Sequence, residues 1–287
     1  VLKKITFMLD SGSDYEPIYN SLFDFPVRVI PLFVYIDDKE YLDSVTLSKN
    51  EFYNKMAASK KLPKTSQPTP TQFYDAYIEE IGKGHEILVL SLSSKLSGTY
   101  QSATIGRAML DDKDQDKVYI VDSLNVSAMI ILLLLRANQL LKDKKSLQEV
   151  VKDLEQFREK ISFFALLDTL ENLKKGGRIS ATKAAVGGML SIKPLVTIND
   201  GSMESLESFR GRNKGLQSLA TRLEGVLDSV DKDAIFIINN YDDRAQLDLD
   251  VSSFPLADFK NVHYITIGPT IGTYAGPNVL GFGYVEK

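Results

Sequence analysis

The sequence predicts an α/β protein of two domains. The first, residues 1–160, is a mostly parallel sheet with helices on both faces. The second, residues 161–287, is an α/β domain with a mixed or antiparallel sheet. Three observations carry this. Apolar runs of strand length alternate with capped helical segments through the first half, the pattern of a sheet covered on both sides. The run at 87–92 is almost wholly apolar, as in a strand with no solvent face. Later, Asp200-Gly201 sits between the stretches 195–198 and 203–209, as a hairpin turn does.

Taken in order, residues 5–9 read as a strand ending in polar Asp10-Ser11-Gly12-Ser13, and 27–36 form a second β-branched run. Ser48 with Glu51 predicts a capping box that opens a helix through Met56. Thr69, with Pro70 at the first helical position and Gln72 three residues on, predicts another. Ser97-Gly98 leads from the 87–92 strand into a helix from Thr99. A strand at 118–121 precedes the apolar Met129 helix, and Ser146 with Glu149 caps one more, to about Lys160. The pattern then changes to an apolar run at 163–167 and a glycine pair before Arg178.

Composition narrows the function. A 44% apolar content excludes a disordered chain, and 287 residues suit two domains. The 34 basic and 38 acidic side chains give a net charge of −4, which argues against a nucleic-acid binder. Without cysteine there is neither a disulfide nor a thiolate metal site, and a reducing, cytoplasmic setting is expected. His85 and His263 lie far apart, so no metal centre built on histidine is expected, although carboxylates bind magnesium or calcium elsewhere. The apolar stretch after Lys3-Lys4 breaks at Asp10, too soon for a signal sequence. The longest apolar run, 129–135, ends at Arg136 and is short of a membrane span.

Two segments concentrate hydroxyls ahead of helices: Lys64-Thr65-Ser66-Gln67-Pro68-Thr69-Pro70-Thr71 and Ser93-Ser94-Lys95-Leu96-Ser97-Gly98-Thr99. Loops at the carboxyl ends of parallel strands line ligand crevices. Helix N-termini there favour an anion, and hydroxyls donate to a carboxylate without adding a full charge. The same residues would also serve as ordinary helix caps, and spacing does not separate the two. Hydrogen bonds to a charged group contribute about 1.5–3 kcal/mol each, so two or three offset much of a carboxylate's desolvation.

Rival chemistries leave weaker traces. There is no Gly-x-Ser-x-Gly elbow, and both histidines sit at the starts of apolar runs, where a structural role is expected. A hydrolase built on Ser97, with Lys95 as base, stays open. So does a phosphotransferase built on Asp10 and Arg178, although Asp10 and Asp14 equally suit helix capping. Phosphate-binding glycine loops are absent. Arg178, Arg210 and Arg212 are candidate anion contacts or plain surface charge. The glycine- and proline-rich stretch 268–277 permits close backbone approach, as a structural turn also would.

In this order, Lys64-Thr65-Ser66-Gln67-Pro68, the Ser93–Ser102 stretch, Asp168-Thr169-Leu170-Glu171-Asn172-Leu173-Lys174-Lys175-Gly176-Gly177-Arg178-Ile179-Ser180, Ile192-Lys193-Pro194 and Ile267-Gly268-Pro269-Thr270-Ile271-Gly272-Thr273 resemble the DegV family of fatty-acid-binding proteins. Its kinase-associated members are called FakB. The resemblance implies a two-domain α/β carrier for a long-chain fatty acid, with no other cofactor. Thr65 and Ser97 would contact the carboxylate, with Ser66, Gly98, Thr273 and Tyr274 nearby. It also implies a fatty acid kinase subunit that supplies ATP and phosphorylates the bound acid. Arg178 would meet that partner or the transferred phosphoryl group, and Arg210 and Arg212 are secondary candidates. Transient membrane contact would serve ligand exchange. The apolar residues available to line an acyl tunnel include those of the Met129 helix, Val186, Met189, Leu190 and Ile192, and the sequence leaves open which of them face the ligand. One departure stands out: the family commonly carries histidine where this chain has Tyr274. A phenol hydrogen-bonds well but keeps its proton at neutral pH. Acid binding is expected to survive the change, whereas phosphotransfer is less secure.

Overall fold

Every residue of strand β1 (Ile5–Asp10) is buried, because the strand is central in a parallel sheet covered on both faces. This computed structural model describes residues 4–179 and 192–287. The 27–36 run, expected as one strand, is two. β2 (Val27–Ile30) pairs in parallel with β1, while β3 (Phe33–Ile36) leaves for another sheet. Pro31 lies between them and has no N–H for a ladder, so the pairing stops there. β3 joins β4 (Lys39–Leu42) and β5 (Lys64–Ser66) in a small antiparallel sheet absent from the sequence-based expectation.

Between β4 and β5 runs α1 (Lys49–Ala58), where Ser48 accepts from the Glu51 amide as expected. Glu51 itself turns to Lys55 instead of completing the box. α2 (Pro70–Gly82) carries the full Thr69–Gln72 capping box. β6 (Glu86–Ser91), α3 (Thr99–Ala108), α4 (Asp112–Gln115) and β7 (Val118–Asp122) follow. The parallel sheet has the order β2-β1-β6-β7. Ile87 and Val89 face α2 and α3 on its outer side, while Leu88 and Leu90 face inward.

The inward side meets α5 (Ala128–Lys142), whose first seven residues are all buried. That explains the seven-residue apolar run: α5 has the parallel sheet on one side and a second sheet on the other. A buried leucine or isoleucine contributes roughly 1.5–3 kcal/mol, so this helix holds the two halves together. α6 (Leu147–Phe157) follows with the expected Ser146–Glu149 capping box.

The remaining elements are β8 (Ile161–Leu166), α7 (Glu171–Lys175), β9 (Ile192–Asn199), β10 (Ser202–Arg210), α8 (Arg212–Val226), β11 (Ala234–Asn239), α9 (Arg244–Asp250), β12 (Asn261–Thr266), α10 (Pro269–Ala275) and β13 (Leu280–Val285). Their six-stranded sheet has the order β10-β9-β8-β13-β11-β12, antiparallel except for β11 and β12. Asp200 and Gly201 join β9 to β10 with φ of 44° and 75°, the left-handed pair that suits a tight hairpin. α8 and α9 cover the outer face of this sheet. One apolar core contains Leu9 and Leu90, then α5, then Ala165 and Phe236. It therefore runs without a break past residue 160, where the sequence pattern changes.

Candidate functional site

A cavity of about 280 Å³ lies between the two sheets. Leu92 and Val126 wall it from the first half. Phe163, Ala165 and Leu167, alternate residues along and just beyond β8, wall it from the second, with Val196 and Ile238 beside them. The loop after β6, the end of β5 and one face of α10 converge at its partly exposed end.

Polar side chains collect at that end. Thr65, Ser66, Ser97, Arg178 and Tyr274 line the cavity half-buried, and Gln67 lines it from an exposed position. Pairing of β5 with β3 places Thr65 opposite Val34, and its Oγ1 lies 2.7 Å from the Tyr274 hydroxyl. Ser66 Oγ is 3.3 Å from the Tyr35 hydroxyl. Ser97 Oγ accepts from the Thr99 amide and lies 2.9 Å from Thr99 Oγ1. Ser97 therefore lines the cavity and also holds the first amide of α3, while the N-cap position itself is Gly98 and carries no side-chain cap.

Arg178 is the cation on this wall. Its Nε donates to the Leu96 carbonyl at 3.1 Å, one terminal nitrogen donates to Gly176, and the guanidinium stands 5.0 Å over the Tyr274 ring. The same ring packs on Gly176, where a Cβ would sit 2.5 Å from it. One tyrosine thus positions both Thr65 and Arg178.

Other expected site residues lie elsewhere. Gly98 is the residue before α3, and a Cβ there would fall 2.1 Å from Gln67 Oε1. It admits Gln67 and does not itself line the cavity among the described residues. Thr273 is buried and donates to the Pro269 carbonyl at 2.9 Å, on the side of α10 away from the cavity. Arg210 is exposed at the end of β10. Arg212 is held by Asp250 at 3.3 Å, the Asn278 carbonyl at 2.8 Å and the Tyr241 hydroxyl. Neither arginine reaches the cavity wall. The body of α5 and Ile192 do not line it either, and Val186, Met189 and Leu190 lie outside the described residues. α5 fills the core between the sheets, which leaves its neighbours Val126 and Ser127 to face the cavity.

Sequence reasoning missed a second polar group. Ser127 and Thr270 are fully buried yet line the same cavity. Ser127 donates to Asp14 Oδ2, and Thr270 donates to Asp43 Oδ2 at 2.5 Å. Asp14 also accepts from the Gly268 amide, and Asp43 from the Thr270 amide. Asp10 accepts from the amides of Gly12 and Leu92. Burial pushes Asp10 and Asp14 up to about 7, against lowering by those hydrogen bonds and, for Asp14, by nearby Lys49. Burial also raises Asp43. Asp10 caps the short turn after β1 through the Gly12 amide, whereas the Asp14 carboxyl joins Ser127 to the Gly268 amide and reaches the cavity wall through Ser127.

Neither histidine approaches this site. His85 meets Thr6 and Glu80 at the opposite edge of the parallel sheet, and His263 stacks on Phe236. Asp10 and Arg178 share no contact, and Asp10 does not line the cavity. Among the described residues, no group of three or more His, Cys, Asp or Glu side chains is placed to hold a metal ion, and no helix is long and apolar enough to cross a membrane.

Comparison with known proteins gives a consistent picture. The family model described as "Uncharacterised protein, DegV family" matches residues 4–287. A DegV domain-containing protein of Clostridium perfringens is 34% identical, covering 97% of this chain and 96% of its own. Among solved structures, a DegV family protein from Thermus thermophilus, described for its fatty acid binding, is 28% identical with a TM-score of 0.85, covering 99% of this chain and all of its own. A DegV lipid-binding protein from Thermotoga maritima is 27% identical with a TM-score of 0.83, over 99% and 98% of the two chains.

Proposed function

The chain belongs to the DegV family, and from that premise we propose that it is a cytoplasmic carrier for a long-chain fatty acid. The acyl chain lies in the cavity between the sheets, and the carboxylate faces Thr65, Ser66, Ser97 and Tyr274. One observation carries the reading: an apolar cavity whose polar groups at its partly exposed end are, among the described residues, hydroxyls, the Gln67 carboxamide and Arg178. Fully burying an acyl chain of about 15 methylenes gains roughly 12 kcal/mol at ~0.8 kcal/mol each. A carboxylate at the rim keeps some solvent, and donated hydrogen bonds offset the remainder of its desolvation. Fatty acid binding described for the Thermus protein supports the same ligand class here.

In this reading the chain is not an enzyme; it presents the carboxylate to a fatty acid kinase subunit that holds ATP. Arg178 neutralises charge on the carboxylate or the acyl phosphate, and Arg210, exposed at the end of β10, meets the partner. The tie of Arg212 to Asp250 and Tyr241 gives it a structural task. Ligand exchange proceeds through transient contact with a membrane.

Native mass spectrometry tests the carrier. The protein purified from bacteria is expected to carry an acyl mass, or to take one up from vesicles loaded with fatty acid. A chain that does neither is not a carrier. For phosphotransfer, Tyr274→His is expected to raise acyl-phosphate formation in a kinase-coupled assay. An unchanged rate would remove any functional weight from the tyrosine.

A further inference from the structure

Ser127 is a residue type that ordinarily caps its own helix, but here its side chain makes no cap to α5. It sits at φ 53° and ψ −139°, where a side chain is strained and glycine would be at ease. The hydroxyl is held there against that cost, on the cavity wall, with its proton given to Asp14. Thr270 is its counterpart. Both its amide and its hydroxyl donate to Asp43, at 3.0 and 2.5 Å. Asp14 is fixed in turn by the Gly268 amide at 2.8 Å. A hydroxyl has one proton and two acceptor lone pairs. With Asp14 and Asp43 ionised, both protons are committed to carboxylates, and Ser127 and Thr270, the latter also 3.3 Å from the Ser11 hydroxyl, offer acceptors on an otherwise apolar stretch of wall formed by Leu32, Leu92, Val126 and Ile267.

A carboxylate is acceptor-only and finds no donor there. A ligand O–H does. Thr270 lies about one turn before Tyr274 on the same face of α10, so their backbone positions are about 6 Å apart along the helix. We propose that Ser127 and Thr270 form a second subsite, for a hydroxyl borne on the carboxyl-proximal carbons of the bound chain. The preferred ligand class is then a β-hydroxy long-chain acid, with its carboxylate at Thr65 and Ser97 and its hydroxyl donating to the Ser127–Thr270 corner. This inference rests on the carrier reading and specifies its ligand.

The test is the dissociation constants of hexadecanoic acid and of its β-hydroxy and ω-hydroxy derivatives, measured by calorimetry on the full chain. The β-hydroxy acid is expected to bind at least as tightly as the parent. The ω-hydroxy acid, whose hydroxyl reaches an apolar wall without a partner, should bind roughly tenfold or more weakly. Thr270→Val keeps the shape, and Ser127→Gly keeps the backbone at ease. The single ligand proton is shared between the two acceptors, so each variant should lower the ratio of β-hydroxy to parent affinity by about threefold and the double variant by about five- to tenfold, the worth of one buried hydrogen bond left unmade. Equal losses for the two hydroxy acids, or a ratio unmoved in both variants, would overturn the subsite and leave the carrier standing. Failure of the parent acid to bind would overturn both.

Discussion

Two sets of hydroxyls face one cavity, and they differ in what stands behind them. At the partly exposed end, Thr65 meets the Tyr274 phenol, Ser66 the Tyr35 phenol and Ser97 the Thr99 hydroxyl, all uncharged partners. In the buried corner, Ser127 and Thr270 are backed by Asp14 and Asp43. Identical functional groups therefore present opposite faces: protons free to turn toward an anion in one place, lone pairs in the other. Second partners decide what a hydroxyl can bind. Solvent contact adds to the difference, because a carboxylate at the rim keeps some hydration while anything in the corner loses all of it.

The largest effect should come from removing both rim donors. Thr65→Ala with Ser97→Ala is expected to weaken fatty acid binding by about 100-fold or more, since each bond to a charged group contributes roughly 1.5–3 kcal/mol. A loss below tenfold, measured by calorimetry, would mean that Arg178 alone holds the carboxylate. Next in size is Gly176→Ala. A Cβ there meets the Tyr274 ring at 2.5 Å and must displace the side chain that positions Thr65 and Arg178. Affinity is expected to fall by roughly tenfold with little change in thermal stability. Parallel losses of affinity and stability would instead mark Tyr274 as part of the core.

The corner should respond to pH more than to ligand. A carboxyl that titrates near 7 when folded, against about 4 when unfolded, holds its proton more tightly in the folded protein. Its contribution favours folding below about pH 4 and is lost as pH rises through 7. Asp14→Asn keeps an acceptor for the Gly268 amide and cannot ionise. The stability difference between this variant and the parent should grow in the variant's favour from about pH 4 to 7, then level off. A difference independent of pH would show that Asp14 is not the titrating group. Rim substitutions should leave this pH profile unmoved, so one series of melts separates the two regions.

Legibility followed the same division. Thr65, Ser66, Ser97 and Arg178 could be singled out because clustered hydroxyls and a glycine-flanked arginine are local patterns, and these residues do meet at one cavity. The Ser127–Thr270 corner could not. Its members come from four separate segments, and nothing near Ser127 in sequence announces a positive φ. Gly98 and Thr273 enter only through the family resemblance, which carries whole motifs, and a helix turns neighbouring residues of a motif to different sides. Thr270 and Tyr274, one turn apart, reach the cavity where Thr273 does not.

By itself the sequence determined the α/β class, the main strands and helices, their caps and the Asp200-Gly201 hairpin. All of these depend on periodicity and on contacts within a few residues. Only the tertiary structure decided that Pro31 splits one apolar run between two sheets, that α5 is core and does not line the cavity, and which hydroxyls give their protons to buried carboxyls. Those outcomes depend on which distant groups pack together, and a hydroxyl's role is set by the partner that takes its proton first.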